Sequence, residues 1–438
     1  MPSQLNPQFI DICINKIDQV LQQQLDAILH HPEFQTVEAS WRSLYYLVEH
    51  TEFRENIKID FIDCDKPALQ NDFNDANELC KSNFYKLLYS HEYGQLGGEP
   101  YTAVITDFEF SHTSSDIKLL QNLSAVAATA HAPILSSAAP RLFGINSYTE
   151  FANLKDIKVI FASEAYAKWN SLRASENARY LGLTLPKFLL RPPYDPEENP
   201  CQSFSYCETT QQHQDYLWGS ATFALANRIT DSFARYRWCP NIIGPQNGGT
   251  VPDLPRPRIM AAAGLESKIP TETILPDRRE YELAEAGFIP LSFRKGSDEA
   301  IFFSANSMQK PKFFGTANHA KAAEINYKLG TQLPYMFIIC RIAHYLKVLQ
   351  REGIGSWQEA NDLELSLNNW LNQYIANQEN APAHIRSQKP LRNAAIKVSN
   401  SDDDPGWYKV DINVRPHFKY MGADITLSLA SRIEQHEH

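Results

Sequence analysis

The strongest constraint in the sequence is the order of patterns between Tyr101 and Ala138. Tyr101 to Phe110 reads as a strand, Asp116 to His131 as a helix rich in Leu and Ala, and Ala132 to Ala138 as a second strand. That order is a βαβ unit, whose strands lie parallel because the crossover helix returns the chain to the same end of the sheet. The expected fold class is therefore α/β, of mixed α+β character. Ligand clefts in such sheets open beyond the strand carboxyl ends, where a glycine-rich turn lets backbone amides approach phosphate. The turn here, Ser111-His112-Thr113-Ser114-Ser115, has no glycine, so no nucleotide site is implied.

Helical periods flank this unit. From Phe9 to His31 apolar residues fall at Ile10, Ile14, Ile17, Leu21, Leu25 and Ile28, one stripe along a helix that His31-Pro32 should end. A second helix is expected from Thr36 to His50 through Val37, Trp41, Leu44 and Leu47. Two such helices either pack on the parent body or clamp a partner subunit. Ile57 to Phe61 alternates like a half-buried strand, and helices are expected at Asn74 to Ser90, Ser163 to Arg173 and Trp218 to Tyr236. Five prolines between Leu185 and Pro200 suggest a rigid surface connection, and the stretch from Pro240 to Pro257 a long loop or linker. Apolar helices follow at Thr331 to Leu349 and Leu363 to Tyr374.

The C-terminus alternates with period two at Ala395 to Val398, Trp407 to Arg415 and Asp424 to Leu429, placing Tyr408, Val410, Ile412 and Val414 on one face. Asp402 to Gly406 supplies the first turn. A meander at a chain end has an edge that either accepts a strand from another chain or packs within its own protomer.

Composition narrows the function classes. At 438 residues and ~150 residues per domain the chain holds about three domains, and 43% hydrophobic residues suffice for buried cores. A net charge of −10 argues against a general nucleic-acid or anionic-membrane binder. Seven scattered cysteines without a C-x-x-C pair read as reduced thiols, and the N-terminus lacks a signal-peptide pattern. The expectation is a cytoplasmic protein with no nucleic-acid and no membrane partner.

Motifs for chemistry are sparse. Ser307 and Lys310 fit S-x-x-K without the K-T-G or S-D-N that accompany it in enzymes. Cys201, Cys207 and His213 lack metal-site spacing. Cys340 and His344 share a helix face, as a thiolate and its base would, but an apolar helix more often buries both. Asp277 to Glu280 and Arg294 to Asp298 read as solvated faces or ion pairs. The expectation is no catalytic residue, no metal and no cofactor, since no Walker A, G-x-G-x-x-G, G-x-S-x-G or H-E-x-x-H sequence occurs.

The chain does resemble a known family. The blocks HPEF at His31 to Phe34, EASWRSL at Glu38 to Leu44, YGQLGG at Tyr93 to Gly98, DIKLL at Asp116 to Leu120 and GLTLP at Gly182 to Pro186 come in order. They continue with YRWCPNIIGPQ at Tyr236 to Gln246, FSANS at Phe303 to Ser307, QKPKFFG at Gln309 to Gly315, YKLGTQLPYMF at Tyr327 to Phe337 and VRPHFKYMGA at Val414 to Ala423. Together they resemble the large subunit of the type VI secretion contractile sheath, the TssC/VipB family.

The resemblance implies a structural bacterial cytoplasmic protein that is not an enzyme and needs no cofactor. It implies pairing with the small sheath subunit of the TssB/VipA family and polymerisation with neighbouring copies into a sleeve around an Hcp tube. A baseplate would start the sleeve, and an AAA+ unfoldase of the ClpV family would recycle it after contraction. Energy for contraction would reside in subunit contacts that differ between two states. The contrasting reading is a cytosolic α/β enzyme of unrecognised type.

On the sheath reading, Ile10, Ile14, Ile17, Leu21 and Trp41 are candidate partner-binding residues. Tyr408, Val410, Ile412 and Val414 belong to an inner layer where protomers interlock strands. The corresponding division is residues 1–55 as amphipathic helices that pack on the small subunit or on the protomer, 56–240 as the α/β body, 241–330 as a proline- and glycine-rich linker with an outer or middle layer segment, and 331–438 as the C-terminal helices and β-meander of the inner layer. Family members carry a longer polar extension ahead of the His-Pro block than the thirty residues found here. That extension carries the linker donated to a neighbour and, in some members, the segment read by the unfoldase, so both roles stay open for this chain, whose short start fits a trimmed sequence, a start-site choice or a variant system equally.

Overall fold

The computed structural model describes residues 7–95, 97–154, 156–197, 199–201, 204–256, 258–261, 264–267, 269–312, 324, 327–352, 360–376, 382–400, 407–417 and 427–434. Helices α1 (Pro7–Leu29) and α2 (Pro32–Glu49) form a hairpin. His31 between them has ψ 126°, the extended value forced on a residue before proline. Pro32 itself opens α2, since a first-turn residue needs no N–H partner, so the helix starts earlier than its apolar period suggested.

Two expectations in the next segment are corrected. Residues 57–61 form neither helix nor strand; Ile57 and Ile59 are half-buried, but the segment pairs with no strand among the described residues. Ile59 packs beside Leu47, Phe223 and Ala226, and Asp60 and Lys58 are held by the side chains of Tyr101 and Glu99. The alternation recorded which way side chains face, which does not require a ladder. Nor does one helix span residues 74–90. Helix α3 (Lys66–Asp75), capped by Asp65, ends first. The Asp72 carboxylate then accepts the Asn83 and Phe84 amides, each at 3.0 Å, and starts a new helical run through Lys86–Ser90 to His91–Gly94.

The βαβ unit is present as β1 (Val104–Phe110), α4 (Ser114–Ala130) and β2 (Ile134–Ala138), with β1 and β2 parallel. Thr113 caps α4 at its start, and His131 closes it in the left-handed region at φ 51°. Helix α5 (Ala167–Ala174) leads to β3 (Leu181–Leu185), parallel to β2.

The proline-dense segment that follows is more than a surface connection. It contains β4 (Phe188–Leu189), which pairs with β5 (Trp218–Gly219), and it buries Leu185, Phe188, Leu189 and Arg191. Helix α6 (Ala221–Tyr236) begins at the Ser220 cap, later than its apolar period suggested.

The described residues between 241 and 330 are likewise more than a linker. They supply β6 (Thr250–Val251), the hairpin β7 (Arg258–Ala261) and β8 (Gly264–Ser267), helix α7 (Asp277–Glu285), β9 (Ile289–Phe293) and β10 (Ala300–Phe302). One sheet runs β1-β2-β3-β9-β10-β6, parallel through β9 and antiparallel beyond it. A division after residue 240 therefore cuts across the sheet. The chain turns into β6 through Gly249, where a Cβ would sit 2.5 Å from both the Gly244 nitrogen and the Phe302 oxygen, so only glycine fits.

The described part closes with α8 (Leu333–Glu352), α9 (Ala360–Asn372) and an antiparallel meander, β11 (Leu391–Asn400), β12 (Trp407–Pro416) and β13 (Leu427–Glu434). The expected turn at Asp402 to Gly406 and the start of the third strand, Asp424 to Thr426, lie outside the described residues. Helix α8 ties the cores together. Met336 and Cys340 join the cluster of α4 and Leu181, Leu333 and Phe337 the cluster of Leu135 and Ile289, and Ile338, Ile342 and Leu346 the cluster under the meander.

Candidate interaction surfaces

None of the chemical pairings weighed from sequence becomes a reactive centre. Ser307 is buried with its backbone amide on the Thr331 oxygen at 2.8 Å, whereas Lys310 is exposed. His344 Nε2 lies 3.1 Å from the Ala130 carbonyl oxygen, and burial pushes it down to about 4 while pushing the Cys340 thiol up. Both shifts oppose a thiolate–imidazolium pair. His213 contacts Glu272 at 3.2 Å and stacks on Trp218, while the Cys207 carbonyl accepts from Gln22. Among the described residues no group of three His, Cys, Asp or Glu is placed to hold a metal ion. Arg278 and Arg279 pair with Glu282 at 2.9 and 2.8 Å, and Arg294 with Glu299 at 2.9 Å, as ordinary ion pairs.

The α1–α2 hairpin is built the reverse way from an ordinary surface helix pair, in which apolar side chains face the body. No described side chain of α1 is buried. Ile10, Ile14, Ile17 and Leu21 are 41%, 49%, 58% and 41% exposed, and Trp41 on α2 is 61% exposed. Phe9, Ile12, Val20 and Ile28 extend the apolar surface on α1, as do Val37, Tyr45 and Val48 on α2. Apolar area on this scale marks a surface that another chain covers.

A set of polar contacts ties α1 to the body. Gln22 donates to the Cys207 carbonyl, Asp26 accepts from the Tyr206 hydroxyl at 2.6 Å and from the Thr209 amide at 3.4 Å, and His30 meets Glu208 at 3.2 Å. Helix α2 is seated more deeply, with Ser43 and Leu47 buried and Tyr46 against Phe188 at 5.4 Å.

Beneath the hairpin lies a charge cluster that sequence reading missed. Arg191 donates from Nη1 to Glu208 Oε2 at 2.6 Å and from Nε to Glu38 Oε1 at 2.9 Å. Arg42 donates to the same Glu38 oxygen at 2.6 Å and to the Tyr194 hydroxyl at 3.2 Å. Burial raises the Glu38 carboxyl, but Arg191 and Arg42 outweigh it and hold the group below its ordinary value. Glu38 stands 153 positions from Arg191, and Glu208 lies beyond a proline-rich run, so no local period marks them. An arginine flanked by apolar residues and prolines, LLRPP, was the one available signal.

The C-terminal candidates separate differently. Val410, Ile412 and Val414 are buried against Ile338, Ile342, Leu367 and Leu371 of the same chain. Tyr408 lies opposite Asn400 and Ile433 in the ladder, and its side chain is outside the described part. Because β12 is the central strand, the three buried residues serve the protomer's own core. Among the described residues the sheet ends at β11 and β13, so only those edges can accept a further strand. Asn368 steadies β11 from α9, donating to the Ile396 oxygen at 2.8 Å and accepting from its amide at 2.9 Å.

Comparison with known proteins supplies the family. The family described as EvpB/VC_A0108, tail sheath N-terminal domain, matches residues 11–309, and EvpB/VC_A0108, tail sheath gpW/gp25-like domain, matches residues 322–433. The type VI secretion system sheath protein TssC1 of Pseudomonas aeruginosa strain PAO1 is 37% identical over 433 residues, which cover 97% of this chain and 86% of that protein. Identity at that level over nearly the whole length places the chain in the large-subunit family of the type VI secretion contractile sheath, the TssC/VipB family.

Proposed function

We propose that this protein is a structural subunit of a type VI secretion contractile sheath, pairing with a small sheath subunit and polymerising with further copies of itself. The observation that carries the reading is the outward apolar stripe from Ile10 to Leu21, joined by Trp41, on a chain of this family. Its exposure in a single protomer is costly, at about 25 cal/mol per Å² of apolar surface, and is relieved when a partner covers it. We assign that stripe to the small subunit and the meander edges to neighbouring protomers. The tube threaded through the sleeve would be built of Hcp, with a baseplate at its start and a ClpV-type unfoldase recycling it, all within the bacterial cytoplasm. Among the described residues no helix is long and apolar enough to cross a membrane.

The deciding experiment is electron microscopy of the chain co-expressed with a small sheath subunit from the same organism. Long hollow cylinders are expected. A stable heterodimer that never polymerises, or no heterodimer at all, would sink the proposal and leave an α/β enzyme as the reading to pursue.

A further inference from the structure

Helix α1 combines two features that a permanently docked helix does not. Its described side chains are all at least partly exposed along its whole length, and each bond to the body described above is a hydrogen bond to residues 206–209. Hydrogen bonds at such sites contribute about 0.5–1.5 kcal/mol each, because water competes for the same groups. Covering the apolar stripe is favourable by about 25 cal/mol per Å² of surface buried. The connection to α2 is short and already extended at His31, and α2 is independently anchored through Leu47 and Tyr46.

We propose that α1 is an arm that pivots about residues 29–32, resting on the 206–209 strap in the free protomer and leaving it when assembly buries the stripe. This deepens, and rests on, the sheath reading. The seat keeps the arm in register, and its polar character keeps the resting state shallow enough to be left. Rotating the stripe onto a partner requires the Gln22 and Asp26 contacts to break together, since the two lie four residues apart on one face of the helix, while His30 sits within the pivot.

A disulfide lock tests the arm. Gln22 already contacts the Cys207 carbonyl, so Gln22→Cys puts a second thiol on the face of α1 that meets Cys207. Oxidation of the free subunit with oxidised glutathione should join the introduced thiol to Cys207, a bridge identified by peptide mapping. The bridge should cut cylinder formation with the small subunit at least about tenfold. Reduction should restore it in the same sample. Equal assembly of oxidised and reduced protein would overturn the proposal, as would failure of the bridge to form. Hydrogen exchange on the free wild-type chain supplies a readout that does not depend on assembly. Amides of α1 should exchange much faster than those of the buried α4, and equal protection would also overturn the arm. Absence of cylinders from wild-type protein, with α1 still exchanging fast, would instead remove the sheath reading.

Discussion

Arg191 and Glu208 make the most enclosed ion pair among the described residues, Nη1 to Oε2 at 2.6 Å with side chains 7% and 1% exposed. The pair fixes the proline-rich turn after β4 to the strap on which α1 rests, and Glu38 extends the contact to α2 at 2.9 Å. Removing the arginine leaves Glu208 without a guanidinium and Glu38 with Arg42 alone, in a poorly hydrated site. Arg191→Met should therefore cost about 3–5 kcal/mol in thermal or urea unfolding. The sign with pH follows from Glu38, whose carboxyl is held below the ordinary 4.5 in the folded protein. Its stabilisation is present above that value and lost as pH falls through the lowered one. The gap between wild type and Arg191→Met should thus narrow at pH 3 relative to pH 7, and a constant gap would count against the cluster.

His131 and His344 are held neutral between α4 and α8. Burial, with Lys347 nearby, pushes them down to about 3 and about 4. The unfolded chain takes up protons near pH 6.5 while the folded one does not, so stability falls from about pH 6.5 downwards. Between pH 7 and pH 5 each histidine should withdraw about 1–2 kcal/mol, allowing for its residual solvent contact. His344→Gln should flatten that pH dependence in urea titrations, and an unchanged slope would contradict the burial argument.

The exposed stripe predicts a separation of stability from assembly. Ile14→Asp with Ile17→Asp should leave the unfolding free energy within about 0.5 kcal/mol of wild type, as for surface changes generally. Co-purification of the small subunit should be lost. Retention of the partner at wild-type levels would move the contact elsewhere.

Ile412 faces its own core and lies in the central strand, paired with Ile396 and Leu429. Ile412→Ala should cost about 2–5 kcal/mol in the isolated chain, before any assembly is assayed. Proline there would also break the ladder, so an assembly defect in Ile412→Pro would report loss of the meander and not of an interlocked edge. A stability change below about 0.5 kcal/mol for Ile412→Ala would show that the meander does not pack as described.

Local rules made much of this protein legible. Period-two and period-3.6 patterns located the βαβ unit, the apolar helix from Leu333 and the three C-terminal strands, because each depends on neighbours within a few residues. The long ordered blocks from His31 to Ala423 also determined the family. What the pattern left open was direction and partner. The stripes of α1 and β12 are both apolar in sequence, each at the period of its own element, yet one faces solvent and the other the core. Only the tertiary arrangement decides, because α1 meets a polar strap while β12 lies over Ile342 and Leu371. The proline-rich runs, read as connections, became part of the body because β6, β9 and β10 find their partners across the chain. The Arg191 cluster stayed invisible for the same reason: a buried charge is stabilised by residues brought from distant positions, and no period in the sequence encodes their meeting.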